Sequence, residues 1–285
     1  MKAVVTGSGG FIGRHILSYL EGKGYEVTGI PRQFLLHPEE GLDSMLEGAS
    51  LVIHLSGAPV VGRWTKAYRQ QIYDSRIRTT RHLVEAMGRV ETRPGLFICA
   101  SAVGIYPDQG GFTEDDTQVA DGFLAEVVRD WEQEALKASV FTRTVAFRLG
   151  MVLGKGGGAL QTMALPFRFG VGGRIGTGRQ MVSWVHIDDV CRAVGHVVEK
   201  NSLFGPLNLT TPFPVSNAEL TRVLAKTLRR PAFIPVPAFA LRLLYGEGAS
   251  VVTRGQTAIP ERLRQTGFQF QYPRLEEALR QILRR

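Results

Sequence analysis

Cysteine is nearly absent from the sequence: Cys99 and Cys191 are the only two in 285 residues. Two are too few for a disulfide framework, and neither has neighbours at metal-ligand spacing, so no metal site is expected. Cys99 falls in an apolar strand and is read as a small core residue. Long apolar runs are missing as well. None reaches the roughly 20 residues of a membrane-spanning helix, so no membrane partner is expected. The first residues enter a strand directly, without the charged region, apolar segment and cleavage site of a secretion signal, so the expected location is cytoplasmic. Acidic residues are in deficit, 26 against 34 basic ones, giving a formal net charge of +8. The basic residues are scattered, the nearest clusters being Arg76, Arg78 and Arg81, then Arg229 and Arg230. No run of five or six occurs, which argues against nucleic acid and for a solvated surface with some bias towards phosphorylated ligands.

What the chain has in abundance is glycine, 33 residues, and the most telling of these lie at the start. Ala3, Val4 and Val5 form an apolar run that reads as a buried parallel strand. Gly7, Gly10 and Gly13 follow at three-residue spacing, and a helical pattern opens at Phe11. A strand turning sharply into a helix leaves N–H groups aimed at one point, and with the helix dipole they favour a diphosphate. Gly7 permits the turn, Gly10 lets backbone approach the phosphates, and Gly13 lets helix pack on strand. The first helix is expected over residues 11–23, ending at Gly22-Lys23-Gly24. The second strand covers residues 26–30. An acid at its end would accept hydrogen bonds from a ribose 2′-hydroxyl, whereas Pro31-Arg32 offers a planar fork suited to a 2′-phosphate. The expected cofactor is therefore NADP(H), with Arg32 reading the phosphate; the alternative is a solvent-facing Arg at a strand end.

The third strand, residues 50–55, runs into Ser56-Gly57-Ala58-Pro59, where small residues admit a ligand close to the backbone. His54 reads as a packed strand residue. A long helix follows with Thr65 as its N-cap, the fourth strand covers residues 96–100, and the fifth covers residues 143–149. A Ser216 to Glu219 capping box starts a later helix. An apolar helix over residues 238–245 follows the Pro235-Val236-Pro237 segment.

Thr6-Gly7-Ser8-Gly9-Gly10-Phe11-Ile12-Gly13 resembles the glycine turn of the short-chain dehydrogenase/reductase superfamily, and Phe-Ile-Gly resembles its extended branch, home of sugar-nucleotide epimerases and dehydratases. Ser101-Ala102-Val103-Gly104-Ile105-Tyr106 is similar to that family's Ser-Ser-x-x-Val-Tyr-Gly, and Trp184-Val185-His186-Ile187-Asp188-Asp189-Val190 to its Phe-Val-His-Val-Asp-Asp-Val. In the latter the acidic pair is expected to cap the helix that follows. Together with Trp131-Glu132, Arg148-Leu149-Gly150-Met151-Val152-Leu153-Gly154 and the C-terminal stretch, the pattern looks like an atypical group of the extended branch, the YfcH-like epimerase-family proteins. The resemblance covers nearly the whole chain. It implies an α/β, Rossmann-type doubly wound parallel sheet over residues 1–150, with a later strand and helix returning from about 180–210. A smaller mixed α+β substrate region would occupy residues 151–285. It also implies NADP(H) held by Gly7, Ser8, Gly10, Phe11, Ile12, Pro31, Arg32, Leu55, Ser56, Gly57, Arg76 and Val152. For Arg76, which stands where relatives carry Asn, a surface role is the alternative. A homodimer through two long helices is a family-level expectation.

The superfamily's proton-transfer unit, Tyr-x-x-x-Lys on one helix face, is missing. Tyr19 and Lys23 match the spacing but lie well down the first helix, away from the phosphate end. The remaining acid/base candidates are Ser101, Tyr106, Glu126, Lys155 and His186, of which Ser101 and Tyr106 stand in the motif that relatives use. Three readings follow. The first is an NADP(H)-dependent oxidoreductase on an unidentified carbonyl or sugar-like substrate. The second is a non-catalytic NADP(H)-binding sensor, and the third a nucleotide-sugar epimerase. Met151, in place of the Asn that touches the sugar nucleotide in relatives, disfavours the third.

Overall fold

The computed structural model describes residues 1–283. The chain opens with β1 (Lys2–Thr6), α1 (Phe11–Gly22) and β2 (Glu26–Ile30), then two short helices, α2 (Arg32–Leu36) and α3 (Leu42–Leu46). Next come β3 (Ala49–His54), the long α4 (Lys66–Arg89), β4 (Leu96–Ala102), α5 (Phe123–Leu136) and β5 (Arg143–Leu149). The expected third and fourth strands are thus shifted by one residue and extended by two, respectively. The second half continues with β6 (Met151–Leu153), α6 (Gly158–Arg168), β7 (Met181–Val182), β8 (Trp184–His186), α7 (Ile187–Glu199) and β9 (Gly205–Leu209). It closes with β10 (Val215–Ser216), α8 (Asn217–Leu228), α9 (Ala238–Tyr245), α10 (Ser250–Thr253), α11 (Glu261–Gln265) and α12 (Leu275–Leu283).

Six strands form one parallel sheet in the order β2-β1-β3-β4-β5-β9. Their runs are apolar on both faces because both faces are covered. Val5, Ile53 and Ile98 point towards α1 and α7, where Ile16, Leu20, Val190 and Val194 meet them. Val4, Val52 and Phe97 point the other way, onto Leu35, Leu46, Ile72, Leu83 and Trp131. Helix α7 and strand β9, though late in sequence, complete this layered body. Strand order reverses at β1, between β2 and β3, so the crevice outside the carboxyl ends of these strands is where a ligand belongs. Cys99 and Cys191 are both buried, and burial pushes the Cys191 thiol up to about 12, so both behave as small apolar residues.

A second, smaller core lies beyond β5. Trp184 and Leu153 of the paired β6 and β8 pack with Leu160, Phe167, Leu220, Leu224 and Leu279 of α6, α8 and α12. Residues 158–168 form α6, an element that the sequence pattern does not announce. Two of the three expected caps hold: Thr65 accepts from the Tyr68 N–H, and Ser216 from the Glu219 N–H. The third is corrected. His186 Nδ1 accepts from the Asp188 N–H and caps α7, whereas the fully buried Asp189 accepts from the Gln271 and Tyr272 N–H groups at 2.6 and 2.9 Å. Asp189 therefore fastens the C-terminal segment to α7, satisfying amides that have no ladder to join.

Candidate cofactor site

At the end of β1 the backbone of Gly7 adopts φ +69°, and a Cβ there would come within 2.9 Å of the Leu55 carbonyl carbon. A Cβ on Gly13 would land on the Gly7 carbonyl itself. Both positions therefore require glycine, one for its conformation and one for contact. The Gly10 N–H donates to the Gly7 carbonyl at 3.0 Å, and Gly10 begins α1 with no side chain capping it. The first-turn N–H groups of α1 are thus directed at the space above the turn. Ser8 folds back onto Gly29 of β2, and Ile12 packs on the core. Phe11 lies against Gly157 and Gly158, while Arg14 donates to the carbonyls of Gly9 and Gly156. Residues 154–158 therefore form a clasp docked on the start of α1.

Besides Arg14, two more cations stand around the switch point. Arg32, the first helical residue of α2 after Pro31, is exposed and makes no ion pair among the described residues. Arg76 is neither a surface residue nor paired with a carboxylate. Its guanidinium donates to the Ala58 and Ile72 carbonyls, stacks over Trp131 at 5.2 Å, and lies directly behind Gly57. Burial lowers its pKa to about 10, which leaves it charged at neutral pH. The Ala58 N–H donates to Ser75 Oγ, so α4 sets the path of the segment after β3. Leu55 and Ser56 line that segment beside Gly7. His54 is buried beneath it with Nδ1 2.7 Å from Thr6 Oγ1, and its Nε2 has no partner. Burial, then the Arg76 charge, lowers its pKa to about 3, so it is neutral.

The carboxyl ends of β4 and β5 are arranged differently. Ser101 Oγ donates to Glu132 Oε1 at 2.5 Å, and Arg148 holds the same carboxylate through two N–H groups at 2.8 Å. A third Arg148 N–H donates to the Tyr106 hydroxyl at 2.7 Å. That hydroxyl is 2.9 Å from both Asn208 Oδ1 and the Thr113 carbonyl, and its ring stacks on Phe112. All five side chains are buried. Burial pushes the Tyr106 phenol up from its ordinary value, outweighing the pull of Arg148. Ser101 and Tyr106, put forward as the hydroxyls nearest a reacting oxygen, are thus engaged inside the protein. Position 102 on the same strand end is alanine. Val152 is buried in the main core behind this edge.

Glu126 and Lys155 are exposed, and His186 is committed to its cap and to Gln281. Tyr19 and Lys23 stack on each other against Gly195 of α7, a packing role. Sequence reading missed Glu132, Arg148 and Asn208 as one unit. The available signal was an arginine inside an otherwise apolar strand, which demands a buried carboxylate partner.

Of the two ends of this sheet edge, the β1–β3 end is the one that would welcome an anion, because there the turn is open, the helix uncapped and no cation neutralised by a carboxylate among the described residues. This is the arrangement of the NAD(P)-binding doubly wound α/β proteins. Within that class the chain belongs to the NAD dependent epimerase/dehydratase family, whose sequence pattern matches residues 3–209; a domain of unknown function matches residues 236–282. Epimerase family protein YfhF of Bacillus subtilis is 35% identical over 298 residues, covering 99% of this chain and 98% of that one. Epimerase family protein SDR39U1 of Mus musculus is 35% identical over 294 residues, covering 99% and 100%. The crystal structure of human epimerase family protein SDR39U1 (isoform 2) with NADPH superposes with a TM-score of 0.91 at 32% identity, over 99% of each chain.

Proposed function

We propose that the chain binds NADP(H) and is an oxidoreductase acting on an unidentified carbonyl or sugar-like substrate. The observation that carries the reading is Arg32: a cation without an internal partner where β2 ends, in a chain with no acid there to hold a ribose 2′-hydroxyl. In this reading Gly7, Ser8, Gly10, Phe11 and Ile12 hold the diphosphate, and Pro31 and Arg32 take the 2′-phosphate. Leu55, Ser56 and Gly57, backed by Arg76, line the adenosine side, and Val152 supports the nicotinamide end. When bound, the cofactor supplies or accepts a hydride. The similar human protein crystallised with NADPH supports the same cofactor.

The residues of this chain bind, orient and exclude water; none of the motif hydroxyls is disposed to carry the accompanying proton. Ser101 and Tyr106 instead anchor Glu132 and Arg148. That closed network favours a second reading, a non-catalytic NADP(H)-responsive module. The two separate in one experiment: NADPH oxidation followed by its absorbance against a panel of aldehydes, ketones and sugar nucleotides. Turnover of any one class establishes the oxidoreductase. Tight NADPH binding with no turnover establishes the module, and no affinity for either pyridine dinucleotide overturns both. A homodimer through two long helices, proposed on the family resemblance alone, is checked by sedimentation equilibrium of the same preparation.

A further inference from the structure

The positive charge of this protein is not spread evenly. Residues 155–180 and 220–246 hold nine basic side chains and no acidic one, so the remainder, with 25 basic and 26 acidic, is almost neutral. Only Arg222 and Lys226 of the nine find a carboxylate, on Glu219 and Glu276. Arg168, Arg174, Arg179, Arg229, Arg230 and Arg242 are exposed without one among the described residues.

The same two segments carry the exposed apolar surface. Eight of the fifteen exposed large apolar side chains lie in residues 165–171 and 233–244. Helix α9, Ala-Phe-Ala-Leu-Arg-Leu-Leu-Tyr, is apolar at every position but Arg242, and none of its residues is buried. Phe233 is 89% exposed, Leu243 81%, Phe169 76% and Phe239 74%. The two segments adjoin: Val236 N–H donates to the Arg174 carbonyl at 2.8 Å, and Gly176 N–H to the Val236 carbonyl at 2.9 Å. These two adjoining segments therefore combine exposed aromatic and aliphatic side chains with exposed arginines that no acidic residue of either segment offsets.

An apolar surface of this kind calls for an occupant. A second copy of the chain is disfavoured, because two such faces brought together would set arginine against arginine. The side chains project, which suits insertion into a fluid interior. Arginines with no neighbouring acid are attracted to a negative surface potential. At eight residues, α9 is about 12 Å long and can only lie in the interface plane. No helix of the described residues is long and apolar enough to cross a membrane, and this seating needs none. We propose that this face seats the protein on an anionic lipid bilayer, with α9 at headgroup depth and Phe169, Phe233, Phe239 and Leu243 inserted. The lack of a spanning segment, which argues against a transmembrane protein, does not bear on a surface seating of this kind.

The proposal is independent of the cofactor reading and is tested on the full chain by flotation with vesicles. Phosphatidylcholine vesicles containing phosphatidylglycerol should carry the protein upward at least about tenfold more effectively than phosphatidylcholine alone, with the difference fading as salt rises. Phe239→Glu with Leu243→Glu should abolish flotation, and Arg229→Glu with Arg230→Glu should remove the preference for the anionic lipid. Both variants should keep the thermal midpoint and NADPH affinity of the parent, since these side chains are exposed. Failure of the parent to float with anionic vesicles overturns the proposal, as does undiminished flotation of the α9 variant. A parent dimer that the α9 substitutions convert to monomer also overturns it, and assigns the face to self-association.

Discussion

The two ends of one sheet edge treat their polar groups in opposite ways. At β1, β2 and β3 they are left without a counter-charge among the described residues: α1 is uncapped, Arg32 is unpaired, and Arg76 meets two carbonyls and the Trp131 ring but no carboxylate. At β4 and β5 every motif group is consumed, with Ser101, Glu132, Arg148, Tyr106 and Asn208 forming one buried chain of hydrogen bonds. Burying such groups is tolerable only when all are satisfied. Exposing an uncompensated cation above an open turn makes sense only when something anionic arrives. The open end is built to receive a ligand, and the closed end holds the fold that presents it.

The most forceful way to break this contrast is to open the closed end. Glu132→Gln leaves Arg148 charged and buried without its carboxylate, whose hydrogen bonds and charge raise the arginine's pKa against the effect of burial. Losing one partner of such a pair costs about 4 kcal/mol, read from the urea midpoint. A loss below about 1 kcal/mol would mean that water reaches the pair and that this end is open after all.

His54 gives a related effect at the other end, spread over pH. Its pKa is lowered from 6.5 to about 3, so the folded protein refuses a proton that the unfolded chain accepts between these values. The stabilisation is full above pH 6.5 and is lost as the pH falls towards 3, by on the order of 5 kcal/mol in total. His54→Asn keeps an acceptor for the Thr6 hydroxyl and cannot charge. Its acid-unfolding curve should be flatter than the parent's in that window, and parallel curves would show that His54 is already solvated.

How much of this was legible in the sequence follows the same division. The glycine turn is local, each residue's role being set by neighbours within seven positions, so strand, turn and helix could all be read from residues 1–14. The Thr65 and Ser216 caps are local too. The closed network is not, because Ser101, Glu132, Arg148 and Asn208 come from β4, α5, β5 and β9 and meet only through sheet order. The α7 cap was misassigned because His186, Asp188 and Asp189 all stand near one helix start. Burial then sends Asp189 to amides more than 80 residues away. Helices α2 and α3 are too short to show a period. The exposed character of α9 was hidden because an apolar helix reads as core until its neighbours are known.

The open end is sharpened by Arg32→Ala. Losing a charge-assisted contact to a phosphate of about 1.5–3 kcal/mol weakens NADPH binding roughly ten- to a hundredfold, while NADH affinity stays within about twofold. Fluorescence titration with both nucleotides measures the ratio. An unchanged ratio would move the 2′-phosphate elsewhere, with Arg14 and Arg76 the other cations at this edge.

The smallest expected effect is also the most discriminating for the closed end. Ser101→Ala removes one hydrogen bond to a carboxylate that Arg148 still holds by two, so the loss is about 1 kcal/mol in the urea midpoint. Tyr106→Phe leaves one Arg148 N–H without its acceptor and costs about 2 kcal/mol by the same measure. Neither group reaches the open end, so both variants should bind NADPH as the parent does. If a substrate is found, kcat should change by less than about threefold, since a positioned acid or base contributes at least a hundredfold. A hundredfold fall in kcat with stability unchanged would show that the hydroxyl leaves its internal partners during turnover, and the two ends of the edge would then work as one site.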